Sequence, residues 1–249
     1  MFRRDPFGHV IFIKKFLISS IGWFTWRRYA TINHVKIEGG EILQSLPEHN
    51  VLFVSNHQTY FADVIAMLHV FCAAKNGRSN SLKNPFYLMR PKHDTYFVAA
   101  EETMKKGWLP RVFAYVGSVS IQRTWRDGNQ DVKRKVRMDD LTNIGIALEN
   151  GWLINFPQGT TKVYAPGRRG VALLVKKYNP VVVPVVIDGF RRAFNKKGLL
   201  LKKKGVTLTV RFKPPMQFDG SENADEVLAD IMKAIEQSPE YRWEAAGTK

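Results

Sequence analysis

Cysteine is almost absent from this chain, with one residue, Cys72, in 249. No intrachain disulfide can form, and a metal site built from several cysteines is excluded. Cys72 lies in an apolar stretch and reads as a small core residue rather than a nucleophile; a chain without disulfides suits a reducing compartment. The six histidines lack the close spacing of a ligand set, so no metal is expected. Acidic residues are scarce as well, 22 against 38 Lys and Arg, which leaves a formal net charge of +16. So basic a chain is drawn to an anionic polymer or surface, nucleic acid or phospholipid. Internal repeats, low-complexity linkers and the motifs of a second domain with chemistry of its own are missing too. A hydrophobic content of 45% over this length supports one substantial core.

An uninterrupted apolar run of membrane-spanning length is also lacking. Phe7 to Trp26 is rich in Ile, Phe, Leu and Trp, but Lys14 and Lys15 stand at its centre. A spanning helix would have to bury or snorkel both, at roughly 2.5–3.5 kcal/mol each near the bilayer centre. An in-plane amphipathic segment avoids that cost by turning the lysines to the headgroups while Phe12, Phe16, Trp23, Phe24 and Trp26 enter the interface. The competing reading is a helix that packs on the domain itself. No small-residue cleavage site follows the stretch, so no cleavable signal peptide is expected. The expected organisation is a membrane-associating segment over residues 1–34 and a single domain over 35–249. Nucleic acid ranks last as a partner, because the aromatics cluster with this segment rather than along one basic groove.

What is present alternates strand and helix. Val51 to Ser55 reads as a buried strand and Asp63 to Ala74 as an apolar helix. Asp131 to Gly151 has helical spacing closed by glycine, and Trp152 to Phe156 follows as a strand. Val171 to Tyr178 is a short helix before the strand Val181 to Ile187, whose wholly apolar side chains make it scaffold. Val206 to Phe212 alternates as a later strand, and Glu222 to Gln237 is an amphipathic helix. The fold class is α/β, with a central mixed, largely parallel sheet flanked by helices and an N-terminal helical docking element. Residues 75–83 and 195–205 are the expected mobile loops, the latter alternatively a solvated hairpin.

Chemistry concentrates where the first of these strands meets its helix. In Ser55-Asn56-His57-Gln58-Thr59-Tyr60-Phe61-Ala62-Asp63 a histidine leaves the strand and a carboxylate follows it. An imidazole with a pKa ordinarily about 6.5 can take a proton from a hydroxyl, and a nearby carboxylate can fix its tautomer and stabilise the imidazolium. Asp63 read alone is equally a first-turn acid favoured by the helix dipole. Arg123 offers a planar fork suited to phosphate or carboxylate, or belongs to a solvated basic surface with Arg126. Gly159 lets a backbone approach an anion closely, or simply makes a tight turn.

These residues resemble the glycerolipid acyltransferases, the superfamily that includes the lysophosphatidic acid acyltransferases. Asn56-His57 and Asp63 resemble its Asn-His-x4-Asp motif, except that five residues separate histidine from aspartate and Ala62 stands where the acid is expected. Gly117 to Arg123 is similar to the second block, a short strand ending in an arginine that contacts the acceptor phosphate. Phe156-Pro157-Gln158-Gly159-Thr160-Thr161-Lys162 resembles the third, Phe-Pro-Glu-Gly-Thr-Arg, with glutamine for glutamate and the basic residue displaced to Lys162. Val181 to Ile187 resembles the fourth, and Gly167-Arg168-Arg169-Gly170 the basic-glycine segment between them. Ordered spacing over residues 50–190 is more specific than any one block.

The resemblance implies an O-acyltransferase that moves a fatty acyl group from coenzyme A or acyl carrier protein to the hydroxyl of a lyso-lipid, 1-acyl-glycerol-3-phosphate first. It implies His57 as base and Asp63 as its partner, with no cofactor, no metal and no acyl-enzyme. Asn56, Arg123, Gln158, Gly159, Thr160, Thr161 and Lys162 would bind substrate. The protein is expected on the cytoplasmic face of an anionic membrane as a peripheral or monotopic protein. Gln158 removes a negative charge from the third block, which leaves an N-acylated amino acid as an alternative acceptor. A basic lipid-binding protein without catalysis is the reading from another class.

Overall fold

The computed structural model describes residues 2–92, 94–101, 108–121 and 138–242. Two short apolar strands, β2 (Val51–Ser55) and β5 (Trp152–Asn155), are buried along their whole length. Runs without polar alternation belong in a sheet covered on both faces. With β1 (His34–Glu38), β3 (Thr95–Ala100), β4 (Ser118–Ile121), β6 (Val181–Asp188) and β7 (Thr207–Phe212) they form a seven-stranded sheet ordered β1-β7-β6-β2-β5-β3-β4. Neighbouring strands pair in parallel except β6 and β7, which are antiparallel. The mixed, largely parallel α/β sheet expected from the sequence is therefore the fold observed.

Helices cover both faces. Among the described residues they include α1 (Ile11–Ala30), α2 (Ile42–Ser45), α3 (Ala62–Lys75), α4 (Trp108–Gly117), α5 (Met138–Asn150), α6 (Gly170–Tyr178), α7 (Phe190–Ala193) and α8 (Ala224–Ala234). On one face Val51 and Phe53 join the α3 residues Val64, Ile65 and Leu68 in a core that extends to Ile18 and Tyr29 of α1. Leu52 and Val54, pointing the other way, meet Val171 and Leu174 of α6 and Val227 and Ile231 of α8. Adjacent parallel strands thus send their following helices to opposite faces, β2 to α3 and β5 to α6. That divergence opens a crevice at the carboxyl end of the sheet, the usual ligand position in such folds.

Helix α3 is buried from Ala62 to Ala74, which a helix apolar all round requires. Its outer side is covered by α1: Tyr29 donates its hydroxyl to the Ala62 carbonyl at 3.0 Å, and Thr25 Oγ1 meets His69 Nε2 at 3.0 Å. His69 Nδ1 is 2.9 Å from the Tyr87 hydroxyl, and burial pushes this imidazole down to about 3, so it serves the core as a neutral ring. At the far end of the sequence Asn223 and Glu226 form a reciprocal capping box at the start of α8, worth about 1 kcal/mol.

Helix α1 departs from the expected amphipathic pattern. Lys14 is wholly buried, with Nζ 3.5 Å from Asp5 Oδ2 and 3.8 Å above the Tyr96 ring. Burial lowers its pKa against the opposing pull of Asp94 and Asp5. Trp26 also turns inward and donates its indole N–H to the Leu82 carbonyl at 2.6 Å. Phe12, Ile13, Phe16, Trp23 and Phe24 are exposed. Both sides of α1 are therefore apolar, one against α3 and one outward, because the chain segment before the helix supplies a carboxylate that takes Lys14 inside. Among the described residues no helix is long and apolar enough to cross a membrane.

Candidate active site

The extra residue between His57 and Asp63 does not separate them. His57 Nδ1 lies 2.9 Å from Asp63 Oδ2, and the carboxylate is fully buried while the imidazole is 13% exposed. Asp63 sits in the first turn of α3 and draws the loop around itself. Its Oδ2 accepts from the backbone N–H groups of Gln58 at 2.6 Å and Thr59 at 2.9 Å, and Oδ1 accepts from the Thr59 hydroxyl at 2.7 Å. Every neighbour donates to this carboxylate, so a neutral His57 carries its proton on Nδ1 and leaves Nε2 bare. The ring is also stacked on Phe156, with centroids 3.9 Å apart and planes 21° from parallel. Phe156 follows β5, the parallel neighbour of β2, and that adjacency is the signal by which the contact could have been anticipated.

Asn56 and Gln158 turn away from the crevice. Asn56 is a clamp between strand ends: its amide donates to the Ile187 carbonyl and accepts from the Ile187 N–H, both at 2.8 Å. Gln58 adds a contact of 3.1 Å to the same carbonyl. The Gln158 amide is buried and donates to the Ala165 carbonyl at 2.9 Å and to Gln237 Oε1 at 3.1 Å. Two acceptor oxygens at one end of this side chain call for N–H donors, which glutamine has and glutamate lacks.

A cavity of about 360 Å³ opens at the crevice. His57, Asn155, Phe156, Gly159 and Arg168 border it, and Phe97, Ile144 and Leu174 are among its apolar lining. Gly159 has φ +60° and lies so close to Arg168 that a Cβ would stand 2.8 Å from the guanidinium carbon. The Arg168 N–H is anchored on the Pro157 carbonyl at 3.0 Å, so the basic-glycine segment returns onto the third-block turn. Arg169 also reaches the cavity wall but is ion-paired with Asp225. Thr160, Thr161 and Lys162 are not among the lining residues. Thr160 Oγ1 accepts from the Lys162 N–H, and the Thr161 carbonyl accepts from Arg191. Arg123 lies outside the described residues.

Residues 34–188 match the family model described as Acyltransferase. The chain belongs to the acyltransferase family. Among solved structures, the fold of this acyltransferase is similar to that of the 1-acyl-sn-glycerophosphate (LPA) acyltransferase PlsC from Thermotoga maritima, with a TM-score of 0.54 and 17% identity over 94% of this chain and 80% of that one. No curated protein sequence is similar enough to count as a relative. The matched region contains β1 to β6 and therefore both turns that border the cavity.

Proposed function

We propose that this acyltransferase moves a fatty acyl group from a thioester, on coenzyme A or acyl carrier protein, to the hydroxyl of a membrane lyso-lipid in phospholipid biosynthesis. The observation that carries the proposal is the 2.9 Å contact between His57 Nδ1 and Asp63 at the mouth of an apolar cavity. With Nδ1 held, Nε2 is the free basic position, and it takes the proton as the acceptor oxygen attacks the thioester carbonyl. The tetrahedral adduct collapses with cleavage of the carbon–sulfur bond. The imidazolium, stabilised by Asp63, returns the proton to the departing thiolate. Each proton taken is given back, and no covalent enzyme intermediate is required.

Stacking on Phe156 fixes the plane of the ring. The acceptor's anionic headgroup belongs at the Gly159 turn under the Arg168 guanidinium, where a planar fork suits phosphate or carboxylate. Asn56 and Gln158 act as positioning residues, the first for the strand end that carries His57 and the second for the Gly159 turn. Arg123, Thr160, Thr161 and Lys162 remain contacts proposed from the family resemblance. Exposed Phe12, Phe16, Trp23 and Phe24 on α1 support attachment to the membrane surface.

The first acceptor is 1-acyl-glycerol-3-phosphate. The turned-away Gln158 and the absence of Thr161 and Lys162 from the cavity lining favour a second acceptor, an N-acylated amino acid bearing a free hydroxyl, whose single carboxylate needs fewer cationic contacts than a phosphate dianion. Incubation of the purified protein with an acyl thioester and lysophosphatidic acid tests the choice. Phosphatidic acid released with stoichiometric thiol supports the first acceptor. Thiol release only with the acyl amino acid selects the second, and no release with either overturns the proposal.

A further inference from the structure

The segment after α7 is a built hairpin. Its strands are joined by a bridge between Phe194 and Leu201, the Asn195 N–H donates to the Leu200 carbonyl at 2.9 Å, and the Lys202 N–H donates to the Ala193 carbonyl at 2.8 Å. The Asn195 side chain closes the tip by accepting from Leu199 and Leu200. Leu200, on the strand that leaves the tip, is 67% exposed, and Lys196, Lys197, Lys202, Lys203 and Lys204, which flank it in the sequence, are all exposed. Not one acidic residue occurs from Gly189 to Phe218. An exposed leucine flanked by lysines is the composition of an element that seats its side chain among acyl chains and its charges among anionic headgroups.

Two sets of contacts connect this hairpin to the rest of the proposed surface. Towards the active site, the Lys196 and Lys197 carbonyls accept from the Tyr60 and Phe61 N–H groups at 3.1 Å each. These donors belong to the loop that holds the extra residue before Asp63, so the hairpin completes the catalytic turn. Gly198 at φ +78° permits that approach, since a Cβ there would stand 2.8 Å from Thr59 Oγ1. Tyr60 itself lines the cavity. Towards the N-terminus, Arg28 at the end of α1 donates to the Leu199 carbonyl, which places the hairpin beside the helix whose outer face exposes Trp23 and Phe24.

We infer that the Asn195–Gly205 hairpin is a second docking element, specific for anionic lipid, that sets the cavity mouth at the level of the headgroups. The inference rests on the proposed attachment to a membrane. Helix α1 supplies apolar contact, and the hairpin supplies the electrostatic part and the orientation. An acidic carrier protein would be drawn by the same charges. The exposed Leu200 and the hydrogen bond that ties its hairpin to the end of α1 favour a bilayer.

Co-sedimentation of the full chain with phosphatidylcholine vesicles, with and without phosphatidylglycerol, tests this. The wild type should bind the anionic vesicles more tightly. Each lysine near such a surface is worth about fivefold, so the K202Q/K203Q/K204Q variant should lose roughly a hundredfold in affinity for them. The corresponding triple arginine variant should bind as wild type, and an unchanged thermal melt excludes loss of fold. Anionic binding that survives the glutamine changes, or equal wild-type binding to both vesicles, overturns the inference and leaves attachment through α1 standing. Absence of wild-type binding to either vesicle defeats the membrane reading itself. Loss of turnover with acyl carrier protein as donor, alongside unchanged vesicle binding, assigns the hairpin to that carrier and also overturns the inference.

Discussion

The turns after β2 and β5 border one cavity from adjacent parallel strands, yet they direct their polar side chains in opposite ways. After β2, Asp63 gathers four donors within the turn and so presents His57 to the cavity. After β5, Gln158 faces inward to Ala165 and Gln237, leaving the Gly159 backbone and the Arg168 side chain at the cavity wall. The first turn is organised around a buried acceptor and the second around a buried donor. A carboxylate suits the former and an amide the latter, which explains why glutamine occupies a position where the resembled family has glutamate.

Substitutions that remove one turn's contribution at a time can break this contrast. Replacing His57 by alanine should have the largest effect, a loss of about 10²–10⁴-fold in kcat with little change in KM, read by thiol release. Asp63→Asn comes next. An amide at that position keeps an oxygen for some of the donors but turns N–H groups toward others, so kcat should fall by about 10²-fold or more while the fold persists on circular dichroism. Equal activity in the Asn variant would mean that the second carboxylate oxygen is irrelevant to the base.

The β5 turn should respond mainly in stability. Gln158→Glu replaces donors by acceptors opposite the Ala165 carbonyl and Gln237 Oε1, and a cost of about 1–3 kcal/mol is expected from urea unfolding. Gln158→Ala should cost no more than that, because it leaves two acceptors unpaired without adding repulsion. A glutamate variant as stable as the wild type would remove the distinction between the turns. The smallest effect concerns Cys72, which is buried on α3 and pushed up to about 12 by burial. Its thiol should resist alkylation at pH 8 in the native protein and react once the protein is unfolded in urea, as followed by intact mass.

His57 was legible in the sequence because a histidine at the exit of an apolar strand is a local pattern, and the α/β sheet because β2, β5 and β6 are continuous apolar runs. The destination of Asp63 was less so. The extra residue is accommodated by hairpin carbonyls at Lys196 and Lys197, far along the chain. Asn56 and Gln158 looked like substrate ligands for the same reason: their partners Ile187 and Gln237 lie 131 and 79 residues away. Lys14 was expected in headgroups, since a lysine in an apolar segment ordinarily seeks water. The carboxylate of Asp5 and the ring of Tyr96 hold it inside instead, and nothing in the helix pattern marks that arrangement.

In the proposed mechanism Asp63 holds the Nδ1 proton of His57 and leaves Nε2 as the base. Nitrogen-15 NMR of the histidine rings, with His57 assigned by its absence in the His57→Ala variant, measures this directly in the neutral form. Protonation at Nδ1 with a bare Nε2, converted to a mixture or to the other tautomer by Asp63→Asn, is the expected result. A proton on Nε2 in the wild type would leave that nitrogen unable to act as the base and overturn the proposed mechanism.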